Sequence, residues 1–317
     1  MLRTVLAVFV ALMAAVSGCS GAGGSTLRVG VIASGSEQGY GIESWALQRG
    51  ILARHLGAVG ITDIAFTTFP NGPNLNQALK GGSLDIGVLG DTPAISGRSA
   101  DLPTQMVGVT VRGQDSWLIA GNGVGSVADL AGRTVATQQG SYMHRYLVGL
   151  LDSAGLGGSV KITFLLVNSA QQALDKGDIA AYAAPVPTAP LLASKGYRVL
   201  DKASAHPGLS GNSYTTISAS AAAKYPKLAG AWNAALAEAA SALKANPAEY
   251  HGFAARTSGL PQPVIEAAYP AALYGNPAVT GSDLATLRGT LDFLLAQHLA
   301  AAPFDVNAWV APGVGAP

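Results

Sequence analysis

The sequence is short of charge and almost without cysteine. Of its 317 residues only 12% are Asp, Glu, Lys or Arg, the net charge is +1, and no long basic run or acidic tail interrupts it. The electrostatic attraction on which nucleic-acid binding depends is therefore missing, and no nucleic-acid partner is expected. A hydrophobic content of 49% beside so little charge excludes a disordered chain and supplies one large or two medium cores. The single cysteine, Cys19, rules out an intramolecular disulfide. Catalytic signatures are equally scarce. GSVADLAGRT has the wrong spacing for GxxxxGK[ST], with Arg in place of Lys, and neither HExxH nor GxSxG occurs. GNGVG at 121–125 lacks the third glycine of a dinucleotide fingerprint, and the five histidines (55, 144, 206, 251, 298) are dispersed without metal-ligand spacing. No catalytic residue, metal or cofactor is expected.

What is present begins with an export signal. MLRTVLAVFVALMAAVSGCS has one basic residue, Arg3, an apolar stretch from Val5 to Val16 and small residues up to Cys19. A dozen apolar residues are too few to cross a bilayer comfortably and fit a signal peptide over 1–19. Val16-Ser17-Gly18-Cys19 resembles the bacterial lipobox, which implies lipidation of Cys19 and a durable membrane anchor. Residues 20–26, SGAGGST, have the composition of a flexible tether.

Beyond the tether, strand and helix patterns alternate, as in a parallel α/β sheet whose ligands gather beyond the strands' carboxyl ends. Residues 27–32 and 61–69 read as strands around a helix over 45–56. Gly72-Pro73 opens a helix that Gly81-Gly82 ends, and 84–89 is a short buried strand. QALKGGSLDIGVLGDTP (77–93) is echoed by QALDKGDIAAYAAPVPTAP (172–190), which predicts two similar lobes. Residues 27–112 and 214–317 are assigned to lobe 1 and 113–213 to lobe 2, and paired crossings near Val111–Gly113 and Gly211–Thr215 form a hinge.

Candidate ligand contacts follow from the loops at strand ends. Thr92 as N-cap with Pro93 at the first helical position, and Ser141 after Gln139-Gly140, each expose backbone N–H groups suited to an anion. Each is equally a plain helix cap. Ser34, Gly35, Ser36 and Gln38 in the first loop, with Asn71 and Asp91, offer polar contacts. Tyr142, Tyr182 and Tyr214 are expected to wall the cleft, and Arg145 to pair with an anionic group or lie at the surface.

FPNGPNLNQALKGGSLDIGVLGDTP closely resembles FxxGPxLxEALxxGxxDxGxxGDTP of the aliphatic sulfonate, taurine and nitrate branch of ABC-transporter solute-binding proteins. SVADLAGRTVATQQGSYMHRYLVGLLDSAGL resembles that family's SxxDLxGKxVAxxxGSxxHxxLxxxLxxAGL. The resemblance covers Leu27 to about Tyr274. It implies a two-lobed periplasmic-binding-protein-like α/β fold of type II, each lobe a mainly parallel sheet flanked by helices. It further implies a monomeric, lipid-anchored receptor outside the cytoplasm that hands a small polar or anionic solute, sulfonate-like by preference, to an ABC permease with its ATPase. One departure follows Gly177. Where relatives have a segment like DAWAIWDPY, this chain has AAYAAPVPT, with Val186 at the aspartate position. Loss of that carboxylate predicts a simple anion or a neutral polar solute in preference to a zwitterion. An enzyme on the same scaffold, of pyrimidine-precursor or menaquinone-pathway type, and a ligand-sensing subunit are the alternatives.

Overall fold

The computed structural model describes residues 25–33 and 39–315. Cys19, the signal segment, most of the tether, and Ser34, Gly35, Ser36 and Gln38 lie outside the described residues. The chain runs β1 (Ser25–Ile32), α1 (Ile42–Gln48), α2 (Ile51–Gly57), β2 (Ile61–Phe69), α3 (Gly72–Lys80), β3 (Ile86–Gly90), α4 (Asp91–Ser99) and β4 (Thr104–Gln114). It continues as β5 (Ser116–Ala120), β6 (Thr134–Thr137), α5 (Tyr142–Ser153), β7 (Lys161–Phe164), α6 (Val167–Lys176), β8 (Ala181–Pro185), α7 (Thr188–Ser194), β9 (Val199–Lys202) and β10 (Gly211–Ser218). Helices close the chain: α8 (Ala219–Lys224), α9 (Leu228–Ala245), α10 (Pro247–Ser258), α11 (Gln262–Ala268), α12 (Gly281–Ala296) and α13 (Val306–Trp309).

Local chemistry sets several boundaries. The single helix expected over 45–56 is two, because Gly50 takes a left-handed φ of 70° between α1 and α2, a conformation that costs glycine little. At the end of α3 it is the second glycine of the pair, Gly82, that takes positive φ (71°), and Ser83 N–H then reaches back to the carbonyl of Ala78 at 3.0 Å, closing the helix in a Schellman-like turn.

The strands form two five-stranded sheets, ordered β2-β1-β3-β10-β4 and β7-β6-β8-β5-β9. β1 pairs in parallel with β2 and β3, and β6 with β7 and β8. β10 is antiparallel to both of its neighbours, and so is β5. Four strands of each sheet thus share one direction, and the reversed one is in each case the strand that has just crossed from the other sheet. The crossing leaves one sheet at its carboxyl edge and enters the next at the same edge, so the incoming strand must run away from the cleft. The echo between 77–93 and 172–190 has the same cause: β3 and β8 hold the middle of their sheets, each between two helices.

Period-two burial sends alternate side chains to opposite faces. In the first sheet register shifts of β4 against β10 on both sides of Gly108–Val109 break that period: Val107 and Val111 join a core with α1, α2, α9 and α10, while Met106, Val109 and Tyr214 join another with α3, α12 and Trp309. In the second, Leu118 and Ala183 face Leu147 of α5, whereas Ile119 and Tyr182 face Leu174 of α6. Complete burial of a side chain such as Leu52 contributes roughly 1.5–3 kcal/mol, and dozens of such positions make these sheets rigid platforms for their loops.

The first crossing is short and pinned on both sides. Asp115 alone separates β4 from β5. Its carboxylate accepts hydrogen bonds from Ser116 N, Ser204 N, Ser204 Oγ and Trp117 Nε1 at 2.9–3.0 Å, all in the second sheet's layer. On the other side Arg112 is held by both oxygens of Asp283 at 2.8 and 2.9 Å. Between these anchors Gly113 takes a left-handed φ of 73°, a conformation that costs glycine little. No helix of the described residues is long and apolar enough to cross a membrane.

Candidate ligand cleft

Between the two sheets lies a cavity of about 480 Å³. Parallel strands followed by helices place helix starts at the strands' carboxyl edge, and both lobes turn that edge toward the cavity. Six helices begin there: Ile42 and Glu43 of α1, Gly72 of α3 with its cap Asn71, Gly90 before α4, Tyr142 and Met143 of α5 with Ser141, Val167 and Asn168 of α6, and Thr188 of α7 with Pro187. Summed helix dipoles make such a convergence favourable for negative charge.

The helix starts differ in what they leave free. Asn71 accepts a hydrogen bond from Asn74 N at 2.9 Å, and Ser141 Oγ accepts one from His144 N at 3.2 Å, so both are side-chain caps. Among the described residues the N–H groups of Tyr142 and Met143 carry no partner, and both residues line the cavity. The α4 start is built otherwise. Its N-cap is Gly90, not Thr92, and Pro93 is the third helical residue. Asp91 Oδ1 takes up the Thr92 N–H at 2.6 Å and the Thr92 hydroxyl at 3.1 Å. A carboxylate in the first turn already occupies the donors that an anion would use.

Asp91 and Arg145 serve each other. Arg145 Nη2 lies 3.0 Å from Asp91 Oδ2, with side chains 2% and 0% exposed. The same oxygen accepts Asn212 N at 2.9 Å, and Arg145 also donates to the carbonyls of Gly208 and, at 2.9 Å, Ser210. This buried cluster ties α4, α5 and the returning crossing together behind the cavity wall. Neither residue lines the cavity, which corrects the expectation of a surface or ligand-pairing arginine.

Of the other residues singled out in the sequence, Asn71, Ser141 and Tyr142 line the cavity. Thr92, Tyr182 and Tyr214 are fully buried away from it. Tyr182 sits mid-strand on the α6 face, and Tyr214 stacks edge-on with Trp309 at 6.4 Å beneath the first sheet. Gln139 is exposed and Gly140 is outside the lining. The glutamine that lines the cavity is its neighbour Gln138, whose Nε2 reaches the carbonyl of Pro70 across the cleft at 3.2 Å and whose carbonyl accepts Ser141 Oγ at 2.6 Å. The aromatic wall is supplied by Tyr40, Tyr142, Tyr269 and Tyr274. Val186 lines the cavity as well.

The lining residue that sequence reasoning missed is Glu43. It is 5% exposed, lies in the first turn of α1, and desolvation raises its carboxyl to about 7, with only its own N–H favouring the ionised form. Burial likewise pushes the Tyr40 phenol up to about 12 and the Tyr142 phenol well above its ordinary value. No motif flags Glu43. The signal available was an acid two residues after Tyr40-Gly41, at a helix start beyond the first strand.

The lobes touch at the rim of the cleft. Gln297 Nε2 bonds Asp152 at 2.9 Å, and Tyr269 Oη approaches the carbonyl of Val186 at 3.5 Å. Gly211 has room for no Cβ, because one would fall 2.6 Å from the Tyr142 ring.

Known proteins share this arrangement. Residues 63–250 match the family described as NMT1/THI5 like. A putative aliphatic sulfonates-binding protein of Escherichia coli (strain K12) is 34% identical over 212 residues, 64% of each chain, so the chain spans about two thirds, 64%, of that relative's length. Among solved structures, the alkanesulfonate-binding protein SsuA from Xanthomonas axonopodis pv. citri bound to MOPS superposes with a TM-score of 0.77 at 25% identity, covering 90% of this chain and 98% of that one. A DSZB mutant in complex with biphenyl-2-sulfinic acid shares the fold with a TM-score of 0.68 at 17% identity, covering 92% and 97%.

Proposed function

Because the chain belongs to the NMT1/THI5-like family, we propose that it is the solute-capturing component of an ABC importer, binding a small sulfonate-like solute between its lobes and presenting it to a permease and ATPase. The single observation that carries this reading is the convergence of six helix starts from both sheets on one cavity between them. The unpartnered N–H groups of Tyr142 and Met143, the Ser141 cap and Asn71 are the proposed contacts for the anionic group. Lobe 1 (27–112 and 214–317) and lobe 2 (113–213) turn about Gly113–Gln114 and the returning crossing. A ligand held by both lobes favours the closed arrangement through its differential affinity alone. In this reading Cys19 anchors a monomer to the outer face of the cell membrane, and the solute leaves chemically unchanged.

A panel of alkanesulfonates, taurine, sulfate and nitrate, followed by thermal shift, tests it. At a hundredfold excess over Kd a ligand stabilises the fold by about 2.7 kcal/mol. No response to any member refutes the reading. The shared scaffold of DSZB makes turnover the competing outcome, and conversion of a bound sulfonate or sulfinate, seen by NMR of the recovered solute, would select it.

A further inference from the structure

The chemistry of the cleft is lopsided. Among the described lining residues there is no Lys, Arg or His, and Glu43 is the one carboxylic acid. A bare anion entering this space would meet a buried carboxyl and no counter-charge beyond the helix dipoles. The surroundings of Glu43 are aromatic. Tyr40, Tyr269 and Tyr274 also line the cavity, the charge of Glu43 acts on the Tyr269 and Tyr274 phenols, the Tyr40 and Tyr269 rings lie 6.4 Å apart, and the Tyr274 hydroxyl is fixed to that of Tyr250 at 2.8 Å. Glu43 makes no ion pair among the described residues. A buried carboxyl without an ion-pair partner, in a cavity with aromatic walls, suits an ammonium group, through charge and hydrogen bonds with cation–π attraction from a neighbouring ring.

We propose that Glu43 is the recognition point for a cationic amine on the solute, so that the cleft takes a zwitterion: an anionic group at the α5 start, an ammonium at Glu43 and a short apolar spacer between them. This inference rests on the solute-binding reading and reverses the expectation drawn from Val186. The family's aspartate position is apolar here, yet a carboxyl enters the cavity from the opposite lobe. Burial that lifts Glu43 to about 7 leaves it neutral enough to tolerate the empty cleft, and an arriving ammonium would favour its ionised form.

Calorimetric titration of the full chain and its Glu43→Gln variant with 3-aminopropane-1-sulfonate and butane-1-sulfonate provides the test, the two compounds differing by ammonium against methyl. The unmodified protein is expected to bind the amine about tenfold or more tightly than the alkane. In the variant that preference should vanish, the ratio of the two affinities falling to about one. The ratio in the unmodified protein decides even if the variant fails to fold. Equal binding of the two compounds, or an amine preference that survives in the variant, overturns this proposal alone. No binding of either compound overturns the solute-binding reading with it.

Discussion

Replacing Asp91 by Ala tests the packing behind the cleft most severely. The carboxylate is fully buried and accepts from five donors: Thr92 N, Thr92 Oγ1, Arg145 Nη2, Asn212 N and Asn212 Nδ2. Its removal strands the Arg145 guanidinium, whose side chain is 2% exposed, with only carbonyls for company. Breaking one side of such a buried pair costs roughly 3–5 kcal/mol, because the remaining charge is uncompensated. With an unfolding entropy of about 2.1 cal/mol/K per residue, a chain of this size loses about 0.6 kcal/mol per degree near its midpoint. The expected fall in Tm is therefore about 5–8 °C by scanning calorimetry. The double variant Asp91→Leu, Arg145→Met removes both charges and should recover most of that loss, since an apolar replacement of the whole pair is often neutral. A single variant that melts within about a degree of the parent, or a double variant no better than the single one, would refute the electrostatic account of this cluster.

Two further perturbations probe the cleft wall and its acid. Gly211→Ala places a methyl 2.6 Å from the Tyr142 ring, and the forced shift should cost about 1–3 kcal/mol in urea unfolding; adding Tyr142→Ala should return part of it, and an unchanged midpoint in the first variant would contradict the packing. For Glu43 the folded carboxyl titrates at about 7 against an ordinary 4.5, so the native state binds the extra proton between these values and stability falls as pH rises through that window. Measured against Glu43→Gln, the parent should lose about 3 kcal/mol of relative stability between pH 4.5 and pH 7, and a difference that stays flat with pH would refute the burial argument.

The legible part of the fold is periodic. Strand segments such as Ile61–Phe69 and the Asn71 and Ser141 caps depend on residues within a few positions of each other, so local sequence carries them. Tyr182 and Tyr214 escape such reading because a tyrosine near a cleft loop and one mid-strand look alike until strand alternation and register assign a face. Gln138 and Gln139 differ by one position, and only the path of the chain across Pro70 decides which one turns inward. Arg145 reads as a surface cation in a helix, and its burial depends on a carboxylate 54 residues away.

An α/β alternation, a doubled strand-and-helix unit and the family whose motifs the chain carries are all written in residue order, since these follow from short-range patterns. Packing in three dimensions is what makes α4 open on a self-satisfied Asp91 while α5 leaves the Tyr142 and Met143 amides without a partner among the described residues, and what brings Glu43 into one cavity lining with Tyr40, Tyr269 and Tyr274. Groups separated by more than two hundred residues meet there only because both sheets turn their carboxyl edges to one space. Once water is excluded, that meeting governs charge and contact in ways no neighbouring residue records.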